Sequence, residues 1–146
     1  MSVKNSRILI AILVFICSKA LSQEEVAYLY FKKDSIGQCE ISMYRNGEKS
    51  SNIDYVFKKD TINDRVIFTL CKEKFVFNHK KNNISIIDRK DIEKINFFNI
   101  NKLLDKVEAE WPETNKSNAF KKIYIIEKRD NERYLKYLVE WTDKYY

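Results

Sequence analysis

Glycine and proline are nearly missing from this chain. Its 146 residues hold two glycines, Gly37 and Gly47, and one proline, Pro112. A loop that cradles phosphate needs several glycines close together, so that backbone N–H groups converge on the ligand. Two glycines ten positions apart cannot build one, which excludes nucleotide chemistry of that kind. Histidine is scarcer still. His79 stands alone beside Lys80 and Lys81, whereas zinc sites of the usual kind need three or four His or Cys ligands. No calcium-loop spacing occurs either. The sequence therefore leads us to expect neither a metal nor a cofactor.

A long apolar run is also lacking. The longest, Ile8–Cys17, has ten residues, against the ~20 that a membrane-spanning helix requires. Lys4 and Arg7 precede it, and Ala20-Leu21-Ser22 puts small residues three places and one place before Gln23. That is the pattern of a cleaved secretory signal peptide. We expect residues 1–22 to be removed, with a cut after Ala20 as the near alternative. Acylation of Cys17 in a lipoprotein is the rival reading, but bulky Ile16 directly before the cysteine departs from the lipobox pattern. The expected location is periplasmic or extracellular, with no transmembrane segment left in the mature chain.

Removing 22 residues leaves 124, one domain's worth, assigned here to residues 23–146. The leader carries Lys4, Arg7 and Lys19 and no acid, so net charge falls from +6 to +3 on cleavage. Charges of both signs are interspersed, which describes a solvated surface and argues against a nucleic-acid partner. No Pro/Ser linker and no fixed-period repeat divides the chain.

What is present is period-two alternation. VAYLYF (26–31) is apolar on both parities and suits a strand covered on two faces. Cys39, Ile41 and Met43 alternate with polar neighbours, and Asn46-Gly47 is a strong hairpin signal. Ile53, Tyr55 and Phe57 follow, then an expected turn over Asp60–Asp64. Val66, Phe68 and Leu70 lead into a reversal at Cys71-Lys72-Glu73-Lys74 and on to Phe75 and Phe77. After a turn at Lys80–Asn83, Ile84–Ile87 makes a short strand. Asp88–Lys94 reads as a short helical turn with Asp88 as its cap and Ile92 and Ile95 facing inward. Ile100, Leu103, Leu104, Val107 and Trp111 form one helical stripe, capped by Asn99 and ended by Pro112. Ile123–Ile126 reads as a central strand. In the final segment Leu135, Tyr137, Val139 and Trp141 share a face, opposite Tyr134, Lys136, Leu138 and Glu140. The expected fold class is α+β: a mainly antiparallel β meander of about eight strands, with an amphipathic helix over about 100–111 packed on the sheet.

Chemistry-bearing residues are few. Cys39 and Cys71 survive cleavage, and an exported compartment favours a bridge between them. It would close a span of 32 positions and constrain the unfolded chain by ~3–4 kcal/mol. Because Cys71 lies off the Val66/Phe68/Leu70 parity, buried free thiols and a reactive cysteine stay open as alternatives. His79 is the candidate general base, and it would need a nucleophile and an orienting carboxylate. Nine tyrosines and two tryptophans supply amphipathic aromatics of the kind enriched at interfaces. Tyr134, Tyr137, Trp141 and Tyr145 are the candidate interaction residues near the C-terminus.

The leader ending in ALSQ, the Lys/Asn/Ile bias and the short sheet-rich body resemble small exported proteins of Gram-negative bacteria. That resemblance implies export and carries no functional residue over to this chain. The leading expectation is a non-catalytic exported protein that binds another protein or a cell-envelope ligand. The alternatives are a small hydrolase using His79 and a small-ligand carrier with an internal apolar cavity.

Overall fold

Alternating apolar residues divided by short polar turns fold here into sheet. A computed structural model describes residues 25–41, 51–109, 116–129 and 132–143. The leader with Cys17, the Asn46-Gly47 turn, Trp111, Pro112 and Tyr145 lie outside those residues. The elements run β1 (Val26–Phe31), β2 (Ile36–Ile41), β3 (Ser51–Val56), β4 (Lys58–Ile62), β5 (Arg65–Leu70), β6 (Glu73–Asn78), β7 (Ser85–Ile87), α1 (Arg89–Ile92), α2 (Ile100–Ala109), β8 (Lys122–Lys128) and β9 (Tyr134–Thr142). This is an α+β fold dominated by mainly antiparallel sheet, as expected. Among the described residues, no helix is long and apolar enough to cross a membrane.

The main sheet has the order β1-β8-β9-β6-β5-β4, with β7 also paired to β9, and β2-β3 form a separate two-stranded sheet. Three features correct or sharpen the expected meander. First, β1 pairs in parallel with β8, in the register Ala27↔Ile123 to Phe31↔Glu127. Alternation says which face a residue takes but not which strand lies alongside, so this pairing of distant segments was hidden. Second, the turn expected over 60–64 is narrower, covering only Asn63-Asp64. Residues 58–62 form β4, an edge strand exposed at most positions, and Asn63, with φ 54°, makes the reversal. A polar edge strand looks like a loop because its apolar face is so small. Third, the reversal after β5 is only two residues long. Cys71 (φ 52°) and Lys72 (φ 68°) both occupy the left-handed region, as a type I′ turn requires, and Leu70 pairs with Glu73.

The sheet rolls up on itself. In a flat sheet, β4 and β8 would lie four strand spacings apart, ~19 Å. Yet Lys59 Nζ on β4 sits 2.6 Å from Glu127 Oε2 on β8. Phe31 on β1 likewise meets Phe68 on β5, edge to face, at 5.0 Å between ring centroids. Ala27, Leu29, Phe31, Val66, Phe68, Phe75, Phe77, Ile123, Ile125, Tyr137, Val139 and Trp141 fill the inside as one cluster.

The helix α2 adds Ile100 and Leu103 to that cluster, with Leu104 and Val107 half-buried beside them. Asn99 caps it as expected: its Oδ1 accepts a bond from the Asn101 N–H at 2.9 Å. At α1, Asp88 precedes the helix in extended backbone and makes no side-chain cap bond.

The small β2-β3 sheet is held in two ways. Backbone bonds Asp34 N–H to Phe57 O (3.0 Å) and Phe57 N–H to Ser35 O (2.8 Å) continue its ladder toward β1 and β4. Cys39 of β2 and Cys71 of the β5–β6 turn lie at disulfide distance, with Cα atoms 5.5 Å apart. Cys71 belongs to a turn rather than a strand, so strand parity never governed its direction. Gly37 lies against the ring of Phe57, and a Cβ there would overlap it.

Two outcomes follow. Reducing the Cys39–Cys71 bridge lowers unfolding stability by ~2–4 kcal/mol, measured as the shift in urea midpoint with and without reductant. Gly37→Ala costs ~1–3 kcal/mol through overpacking, and Phe57→Leu in the same chain recovers part of that loss.

Candidate functional site

The strand period that groups Leu135, Tyr137, Val139 and Trp141 turns all four toward the inside of the rolled sheet. Tyr137 is 1% exposed and Trp141 3%. These two were expected on an interaction surface and are instead core residues, with their polar ends satisfied internally. Trp141 Nε1–H donates to Glu73 Oε2 at 2.7 Å. Tyr134 lies half-buried on the opposite, outer face. His79 is exposed at the end of β6. Its backbone N–H donates to Asp64 O at 2.9 Å, and its ring stands edge-on to Phe77 at 4.9 Å. Among the described residues no carboxylate, hydroxyl or thiol is hydrogen-bonded to its imidazole. Lys80, hydrogen-bonded to Asp64, is the main cause that lowers the Asp64 carboxyl below its ordinary value.

The buried polar cluster is elsewhere. Glu127 Oε2 accepts from Lys59 Nζ at 2.6 Å and from the Tyr137 hydroxyl at 2.7 Å. Lys59 Nζ is also 3.3 Å from the Tyr137 oxygen and lies over the Phe68 and Tyr137 rings. Arg129 Nε approaches the same carboxylate oxygen at 3.8 Å from the exposed side. Burial, and then the bond to Glu127, push the Tyr137 phenol far above its ordinary value. These groups bond one another, so the cluster joins β4, β8 and β9. Its sequence signal was faint: Glu127 shares the parity of Ile123 and Ile125, an acid standing in an apolar row.

The outer face of β1, β8 and β9 differs in character. Tyr28 and Tyr124 are register partners whose rings stack at 5.3 Å and 18°. The Lys136 ammonium lies 4.4 Å from the Tyr124 centroid and 5.9 Å from that of Tyr28. Next along β1, Tyr30 is 39% exposed and meets Phe97 edge-on at 5.7 Å. Burial, and then the neighbouring Tyr134, push the Tyr30 phenol upward. Leu138 is the register partner of Tyr124 on β9 and extends the row.

Where β8 begins and β9 ends, this face runs into a groove of about 750 Å³. Lys81, Lys116, Lys121 and Lys122 line it, together with Leu138 and Trp141, and Glu140 is the acidic residue among its described lining. Lys81 pairs with Glu140 at 3.4 Å. Lys116 pairs with Glu73 at 2.9 Å and Asp143 at 2.5 Å. Burial works against the Lys116 ammonium, but those bonds outweigh it and hold its pKa above the ordinary value. Among the described residues no three His, Cys, Asp or Glu side chains are grouped to hold a metal ion.

The chain matches no known protein family, no characterised protein and no solved structure.

Tyr137 yields a pH prediction with a definite sign. The unfolded chain releases this proton near pH 10 while the folded chain keeps it, so stability is full below pH 10 and falls as pH rises beyond it. Urea midpoints measured between pH 8 and about 11 should show this alkaline decline, and Tyr137→Phe should flatten it while costing ~1–2 kcal/mol at pH 7.

Proposed function

We propose that this chain is an exported, non-catalytic binding protein that holds its partner on the outer face of β1, β8 and β9. The observation that carries this reading is the half-exposed row of Tyr28, Tyr124 and Lys136 on a rigid sheet. Tyrosine offers a large contact area at low entropic cost, with a polar tip that hydrogen-bonds a partner. The polar groups best placed for acid–base work, Glu127 and Tyr137, are committed to each other inside the sheet. Export is supported by the basic start, the ten-residue apolar run and the small residues before Gln23. A cysteine pair at disulfide distance fits an oxidising compartment of that kind.

The test is capture of a partner from envelope extract by the purified protein, run beside the Tyr28→Ser/Tyr124→Ser variant. Both should show the same circular dichroism, and the variant should retain at least tenfold less partner. A folded protein that retains nothing, or a variant that retains as much as the parent, overturns the reading. Mass spectrometry of the exported protein should find Gln23 at its start, and an intact Met1 would contradict the leader assignment.

A further inference from the structure

The sign of the charge on the outer face goes further than the tyrosines do. Strand register puts Lys122, Lys128 and Lys136 on this face of β8 and β9, with Glu140 as the acidic residue among the same positions. Lys122 and Leu138 belong both to this face and to the groove, which brings Lys81 and Lys121 into one continuous basic strip. The Lys81–Glu140 pair is solvent-exposed on both sides, so an incoming anion displaces it at little cost.

We infer that this strip binds an acidic polysaccharide, a chain of sugars carrying carboxylate or phosphate groups. The inference rests on the binding-face reading above and names its ligand class. Charge complementarity calls for a polyanion, and the export reading selects among polyanions, since an exported face meets envelope polysaccharides. Tyr28 and Tyr124 stack on each other through one face each, and the Lys136 ammonium lies beside both rings. The hydroxyl tips of the two tyrosines suit the hydroxyls of a sugar chain. The groove, about 750 Å³, is within the range that accommodates small organic ligands, here a short stretch of such a chain.

The experiment titrates the purified protein with polygalacturonate oligomers, neutral dextran and a single-stranded oligonucleotide of matched charge, at two salt concentrations. The expected result is micromolar binding of polygalacturonate that weakens with salt. Lys122→Glu/Lys128→Glu, two exposed positions, should weaken it at least tenfold with the thermal midpoint unchanged. Lack of binding at low salt, equal binding of dextran, tighter binding of the oligonucleotide, or indifference to the charge reversal each overturns the assignment. Capture by the tyrosine variant is scored separately. A retained partner lost on Tyr28→Ser/Tyr124→Ser, with polygalacturonate unbound, removes the ligand class and leaves the binding face standing.

Discussion

A lysine on one edge of the sheet reaches a glutamate four strands away, and the rest of the architecture depends on the curvature this implies. The Lys59–Glu127 contact is buried, with side-chain exposures of 14% and 8%. Desolvating two charges is costly, and their mutual attraction offsets that cost only when geometry is good and the remaining valences are filled. Here the Tyr137 hydroxyl and the Phe68 and Tyr137 rings supply the remaining contacts. Removing one partner would leave the other charged, buried and uncompensated. The pair therefore specifies the roll more than it adds to net stability.

The roll divides the molecule into two chemistries. Inside, phenylalanines from β1, β5 and β6 meet Tyr137 and Trp141 of β9. Outside, β1, β8 and β9 present tyrosines and lysines to solvent. β9 serves both sides through its period of two: Leu135, Tyr137, Val139 and Trp141 hold the core, while Tyr134, Lys136 and Leu138 build the outer face. The Cys39–Cys71 link fastens the β2-β3 sheet to the β5–β6 turn and keeps this secondary sheet aligned with the roll.

Much of this was legible in the sequence. The strand segments, the Asn99 cap, the helical stripe, the central position of β8 and the two faces of β9 follow from periodicity and capping chemistry, which act locally. Strand partnership does not act locally, so the parallel β1-β8 pair could not be read. β4 was missed because an edge strand needs little apolar character, and the turn expected over 60–64 is confined to Asn63-Asp64, with Asn63 in the left-handed region. At the site, Tyr137 and Trp141 were assigned to a surface because aromatic composition does not reveal which side of a sheet faces a rolled interior. Tyr28 comes from β1, far in sequence from the β8 and β9 strands that carry Tyr124 and Lys136, so no spacing rule along one segment could group the three.

A double-mutant cycle on Lys59→Met and Glu127→Gln tests the central constraint most directly, by urea unfolding at pH 7. If the pair sets the roll, each single variant loses ~3–5 kcal/mol, and the double variant loses at least ~1 kcal/mol less than the two losses combined. Two small, additive losses would show that Lys59 and Glu127 do not meet across the sheet, and the rolled architecture would have to be abandoned.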